Sequence, residues 1–267
     1  MKNEKVEIAK QAVHDPAGPF PLFWGAATDA GKIRDENQDA FFIDPELALF
    51  LVSDGMGGHQ SGAFASKIVS QVLPGMIRDR LEKLKSHSRR AIRSILKKTI
   101  AELNSHILTK YPRQAGLTGM GATLVMALLI EGRCFVANIG DSRLYLFRRK
   151  RLIQMTEDHS VIQELLRQGN IQPAESQNHP AKGQITRYIG IDEQANPYVR
   201  TLTLKSADRL LLCSDGLTDM LDDELIAKTL GIGADCHAAC KSLVGAANAA
   251  GGHDNITVVI VDWTGRY

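Results

Sequence analysis

Two short stretches limit what this chain can fold into more than any other part of it. They are "LFLVSDG", starting at Leu49, and "LLLCSDG", starting at Leu210. Each is an apolar run of strand length, bounded by a turn residue, and reads as a buried strand. Each then drives into an aspartate and releases the backbone at a glycine. A carboxylate at the end of a buried strand is costly unless a partner or a cation meets it. One such aspartate is ordinarily a turn or cap residue. The same construction twice in one chain asks for a common cause.

The rest of the pattern sets the architecture. Residues 1–18 are polar, end in the breaker cluster "HDPAGPFP", and are expected to be an N-terminal extension. Residues 19–267 are expected to form the working domain. Short strands are predicted at "LFWGAAT", "AFFI" and "ALFLVS". Two amphipathic helices follow, one carrying Ile68, Val69, Val72, Leu73, Met76 and Ile77, the other Ile92, Ile95, Leu96, Ile100, Leu103 and Ile107. A strand meander ("TLVMALLI", "CFVANIG", "LYLFR", "LIQM") leads to a short helix after Asp158. A polar stretch of about 170–187 reads as a functional loop. Further strands at "PYVRTLTL" and "RLLLCS", helices near 222–230 and 236–249, and a last strand "NITVVIVDW" complete the chain. Strands come in blocks and helices in pairs, without βαβ alternation. This predicts an α+β fold, two packed, mainly antiparallel sheets with helix pairs outside: a four-layer α-β-β-α sandwich.

The bulk numbers exclude several classes. A net charge of +2 is too small to argue for nucleic acid or a membrane surface. No window holds 18 consecutive apolar residues, and the N-terminus lacks an apolar signal region. Four cysteines in this length make no disulfide framework, and a reducing cytoplasm is expected. Cys236 and Cys240 flank His237 at helical spacing, but a zinc site would need two more ligands nearby.

Five aspartates stand where apolar runs begin or end: Asp39, Asp54, Asp141, Asp215 and Asp254. Gathering like charges at one end of a core requires a neutralising cation. Hard oxygen ligands of this kind suit Mg²⁺ or Mn²⁺. Gly55, Gly57, Gly58 and Gly216 are expected to turn the backbone and bring it close to an ion, and the Gly55 carbonyl is a ligand candidate. A dinucleotide-loop reading of "SDGMGGHQSG" fails on spacing and on its surroundings. Arg34, five residues before Asp39, can clamp a phosphate.

These residues fall in seven motifs: "RDENQD" (Arg34 to Asp39), "DGMGGH" (from Asp54), "GMGATL" (from Gly119), "NIGDSRLY" (from Asn138), "TEDHS" (from Thr156), "CSDGLTD" (from Cys213) and "GGHDNITVV" (from Gly251). Together and in this order they resemble the type-2C metal-dependent serine/threonine protein phosphatases in their bacterial form, from about Phe23 to Asp262. The resemblance implies the same α-β-β-α sandwich. It implies two Mn²⁺ or Mg²⁺ ions bridged by Asp54, with the Gly55 carbonyl on one, Asp215 and Asp254 on the other, and Asp39 acting near the second through water. Asp141, with Asp215, matches the site of a third, weaker ion. Arg34 would hold the substrate phosphate, and Asn255 would support the phosphate or the metal-bound water. Residues 170–187 match a mobile flap. The implied chemistry is hydrolysis of phosphoserine or phosphothreonine by water or hydroxide shared between two ions, without a phosphoenzyme.

Three departures stand out. Met56 replaces a histidine proposed elsewhere as general acid, leaving metal-bound water, a flap group or His59 for that task. Gln38 replaces a glutamate ligand, and "GAT" at Gly121 to Thr123 replaces the commoner "GTT". The expected partners are phosphorylated proteins and a cognate serine/threonine kinase pathway, with the chain a cytoplasmic monomer. Rival readings are a non-catalytic phosphoprotein binder and a hydrolase of small phosphate esters. A basic run, Lys83, Lys85, Arg89, Arg90, Arg93, Lys97 and Lys98, reads as a solvated face or as a dock for an acidic partner.

Overall fold

In the computed structural model the described residues are 22–57, 60–111, 120–176, 179–191 and 195–265. The expected N-terminal extension lies outside them, as does His59.

Among the described residues eleven strands form two sheets. The first holds β1 (Leu22–Asp29), β11 (Ile256–Trp263), β10 (Asp208–Cys213), β7 (Arg143–Arg148) and β8 (Arg151–Gln154), in that order across the sheet. The second runs β2 (Asp39–Asp44), β3 (Leu49–Met56), β5 (Leu124–Ile130), β6 (Arg133–Ile139), β9 (Tyr198–Thr203), with the two-residue β4 (Gly121–Ala122) pairing the end of β3. Every described pair is antiparallel.

The continuous apolar runs now have a physical reason. Side chains alternate across a strand, so a strand covered on both faces cannot carry a polar period. In β3, Phe50 and Val52 face the other sheet, packing with Leu210, Leu212, Val259 and Val261. Leu49 and Leu51 point the other way, into α1 (Gln60–Glu82) and α2 (Arg89–Lys110), among Leu73, Ile77, Leu96 and Ile100. The first sheet mirrors this. Leu211, Cys213, Val258 and Ile260 pack outward with Ile226, Leu230, Leu243 and Val244 of α6 (Asp223–Leu230) and α7 (Cys236–Ala249). The layers are therefore helix, sheet, sheet, helix, as expected from the alternation of strand and helix blocks.

Local signals place the ends. Ser88, Asp222 and Asp235 cap α2, α6 and α7, each accepting a backbone N–H three residues on. The "RK" of "FRRKRL" makes the β7–β8 hairpin, with Arg149 and Lys150 at positive φ of 52° and 62°. Cys236, His237 and Cys240 lie in α7 with both thiols buried and free, as the helical spacing suggested. The polar stretch after α3 (Val161–Gln168), expected to be a functional loop without regular structure, contains one further helical turn, α4 (Pro173–Ser176). A Schellman-type stop at Gly169, φ 72°, ends α3 and redirects the chain into it.

Candidate active site

The site grows from one seam between the sheets. Asp39 and Asp54 are cross-strand partners in β2 and β3, so pairing register alone sets them side by side. Asp215 lies two residues after β10, with Ser214 between, as the first residue of the single helical turn α5 (Asp215–Thr218). Asp254 lies two residues before β11, the strand next to β10. Asp141 sits in the tight connection between β6 and β7. The Ser214 hydroxyl stitches the sheets together. It donates to Asp39 Oδ2 at 2.7 Å and accepts the Thr257 N–H at 3.0 Å. Asp54 is held through its backbone, its N–H on Thr123 Oγ1 at 2.9 Å and its carbonyl accepting the Thr123 N–H at 2.8 Å. Thr123 is in turn hydrogen-bonded to Ser142 at 2.7 Å.

Glycines work here by absence of bulk more than by turning. The expectation that Gly55 and Gly216 bend the chain is corrected: neither has a positive φ, and Gly57, at 132°, is where the strand breaks. A Cβ on Gly55 would lie 2.1 Å from the Gly62 carbonyl oxygen, and one on Gly216 2.1 Å from that of Asn255. These contacts let α1 and the 254–255 segment press against the carboxylate-bearing backbone.

The 30–38 loop carries Arg34 and is clasped by Asn255. The Asn255 Oδ1 accepts the Gln38 N–H at 2.8 Å, while Nδ2 donates to the carbonyls of Ala30 and Glu36, both at 2.9 Å. Asn255 was expected to support a phosphate or a metal-bound water, but its amide is buried and committed to this loop. Arg34 Nη2 donates to Asp254 Oδ2 at 2.7 Å, an exposed pair. Hydrogen bonding to Asp254 and its charge raise the arginine pKa further.

The electrostatics are those of crowded, desolvated carboxylates. Burial, then Asp215, Asp39 and Asp141, push Asp54 well above the ordinary range, and Asp215 rises likewise from burial and then Asp141. Burial raises Asp39 to about 6 despite the Ser214 hydrogen bond, and burial, then Asp158, raise Asp141 to about 7. Oδ1 of Asp39, of Asp141 and of Asp215 is each buried with no hydrogen-bond partner among the described residues. Oxygen atoms left in that condition cost free energy that a bound cation would recover. Among the described residues no three acidic, histidine or cysteine side chains already stand closed around one point. The donors are hard, oxygen-only and buried, and this fits divalent ions that keep part of their water shell.

Beside this cluster lies a cavity of about 140 Å³, lined by Asp141 and Asp215 on one side and by Ser176, Lys182 and Gly183 of the 170–187 stretch on the other. Lys182 reaches Asp219, the residue that closes α5, at 3.2 Å. Arg143 also lines the cavity and holds Asp158 through contacts of 2.6 to 3.0 Å. Ser214, Thr123, Ser142 and the Lys182–Asp219 pair were not anticipated. A trace was visible, since both opening stretches read Ser-Asp-Gly: the Ser53 hydroxyl donates to the Thr123 carbonyl and the Ser214 hydroxyl to Asp39, so each serine ties its strand end to a neighbour. His59, a candidate proton donor, lies outside the described residues.

Comparison with known proteins agrees with this fold. The sequence profile of protein phosphatase 2C matches residues 34–241. The serine/threonine phosphatase stp of Listeria monocytogenes is 36% identical over 238 residues, covering 88% of this chain and 93% of that protein. Serine/threonine phosphatase Stp1 from Staphylococcus aureus superposes with a TM-score of 0.83 at 32% identity, over 96% of this chain and 100% of the other. The catalytic domain of the serine/threonine protein phosphatase PstP, solved with two manganese ions, gives 0.74 at 30% identity, over 90% and 97%.

Proposed function

The chain belongs to the protein phosphatase 2C family, and on that premise we propose that it is a Mn²⁺- or Mg²⁺-dependent phosphatase of phosphoserine and phosphothreonine in proteins. The carrying observation is the meeting of Asp39 and Asp54 from one sheet with Asp215 and Asp254 from the other, three unpartnered buried oxygens among this group and Asp141. Asp54, the Gly55 carbonyl, Asp215 and Asp254 are the residues that would hold two ions, with Asp39 behind them and Asp141 with Asp215 at a third. Bound there, the ions would lower the pKa of a water so that it gives up a proton near neutral pH and can attack phosphorus directly, without a phosphoenzyme.

The chain's own residues then have separable tasks. Arg34 swings from Asp254 to the substrate phosphate, for which a guanidinium fork is suited. Asn255 keeps the Arg34 loop in place. Ser214 fixes Asp39. The 170–187 flap, latched by Lys182, borders the side on which a protein substrate lies. Phosphorylated proteins and a matching kinase pathway are the partners this chemistry needs.

The reading is tested by stripping metal and restoring it. Aryl phosphate hydrolysis is expected to vanish with chelator and return with Mn²⁺ or Mg²⁺. Asp54→Asn and Asp215→Asn should each lower kcat by several orders of magnitude in a folded chain, a barrier rise on the order of 4 kcal/mol or more. Undiminished turnover by the stripped protein, or by either variant at normal metal content, contradicts the proposal.

A further inference from the structure

A separate cavity, of about 370 Å³, shares only Asp158 with the Asp141–Asp215 cavity. Four cations line it: Arg93 and Lys97 from α2, Arg167 from α3, and Arg187 at the end of the 170–187 stretch. Arg93 and Lys97 belong to the basic run that the catalytic site leaves unused. Arg93 Nη2 donates to the Val199 carbonyl at 2.9 Å, which aims its guanidinium along the wall. None of the four has an ion-pair partner among the described residues.

The acids in the wall do not balance them. Asp158 is spent on Arg143 and Gln154. Glu157 and Glu164 remain, both exposed. His159 adds no charge of its own: burial, then Arg187, lower its pKa to about 4, and its Nδ1 accepts the Gly140 N–H at 3.2 Å. The Thr186 hydroxyl oxygen, in the same wall, is buried without a hydrogen-bond partner among the described residues. A buried hydroxyl in that state lacks an acceptor that an occupant would bring. Arginines beside a lysine and a free hydroxyl donor match a compact anion with several acceptor oxygens. The volume lies within the range of small-ligand sites.

We propose that this cavity is a second anion site, taking a phosphate group carried either by a small phosphate ester or by a further phosphorylated residue of a protein substrate. Binding at the site stands apart from the catalytic reading; only the question of a substrate-borne phosphate rests on it.

The test begins with inorganic phosphate, titrated into the ¹⁵N-labelled, Mg²⁺-loaded protein. Amide shifts are expected at Lys97, Thr186 and Arg187. They should persist in Arg34→Ala, which removes phosphate binding at the catalytic seam, and need at least tenfold more phosphate in the Lys97→Gln/Arg187→Gln double variant. Both replaced side chains are exposed, so the double variant should melt like the parent. Shifts that vanish with Arg34→Ala, or that are unchanged in the double variant, overturn the site. The source is then read from peptides with one or two phosphothreonines. A preference in kcat/KM for the doubly phosphorylated peptide that the double variant loses assigns the site to the substrate. Equal cleavage of both peptides, with the shifts intact, assigns it to a small phosphate ester. Absent aryl phosphate hydrolysis in the parent would instead fail the catalytic reading and leave the titration standing.

Discussion

At the residue scale, the site separates groups that would hold ions from groups that hold those groups. Arg34 marks the boundary, because it pairs with Asp254 while its loop is fixed by Asn255. An exposed pair of this kind contributes little to stability, about 0–1 kcal/mol. Arg34→Ala should therefore fold normally, keep its metal affinity, and raise KM for phosphopeptides by roughly tenfold to a hundredfold, corresponding to about 1.5–3 kcal/mol for a charged hydrogen bond. Asp254→Asn should do the reverse, weakening metal binding first. Calorimetry with Mn²⁺ alongside peptide kinetics checks both. Lost metal affinity and an unchanged KM in Arg34→Ala would make the arginine a structural partner of Asp254. The aspartates themselves were legible in the sequence, since a carboxylate at the end of an apolar run is conspicuous. Ser214 and Thr123 were not: a hydroxyl carries no sign of which strand, far away in sequence, it will bond. The loop-clasping part of Asn255 was hidden for the same reason, as its three partners lie more than two hundred residues away.

At the element scale, periodicity told most of the story. Buried strands, two helix pairs and the β7–β8 hairpin follow from apolar spacing and turn residues, because those signals are local. The order of strands in each sheet is not local and could not be read from spacing. Nor could the fact that β1, first in the chain, pairs β11, last in it. Close approach was also invisible. A Cβ on Gly25 in β1 would fall 2.6 Å from the backbone nitrogen of His237, so α7 rests directly on that strand. The proposed flap, 170–187, has no buried residue among its described ones, unlike the core around it. Neither α3 nor α4 has a fully buried residue, and the exposed Lys182–Asp219 pair latches the segment to α5. With so little apolar burial, local opening is easy. Lys182→Ala and His179→Ala should change kcat/KM for phosphothreonine peptides several-fold more than for a small aryl phosphate. The same is expected at Gln177 and Asn178, which lie outside the described residues. Equal losses on both substrates would place the flap in the chemistry, and His179, whose Nδ1 now accepts the Ala181 N–H, would become the candidate proton donor that Met56 cannot be.

At the scale of the whole molecule, the seam sets folding against charge. Two sheets packed on an apolar interface carry their acidic ends to one place, and without ions the folded state keeps some of those carboxylates protonated. The sign of the resulting pH dependence follows from proton counts. Asp39 titrates at about 6 and Asp141 at about 7 in the folded chain, against 3.8 ordinarily. Between about pH 4 and pH 7 the folded state then binds more protons than the unfolded one, so these two groups make the metal-free chain less stable as pH rises. His159 acts in the opposite direction: lowered from 6.5 to about 4, it adds stability as pH rises between those values. The two effects separate by difference. The unfolding free energy of the metal-free parent minus that of Asp141→Asn should fall between pH 4 and pH 7 and stay level above it, since the amide cannot titrate and His159 is common to both. Mn²⁺ at a hundred times its dissociation constant should add about 2.7 kcal/mol at pH 7. It should add much less at pH 4, where protons compete for the same oxygens. Denaturant melts at both pH values, with chelator and with Mn²⁺, measure all of this. A parent-minus-variant difference that is flat from pH 4 to pH 7 would mean that Asp141 ionises as freely as a surface carboxylate, and that the seam does not hold its charges in a closed, unpaired state that favours ion binding.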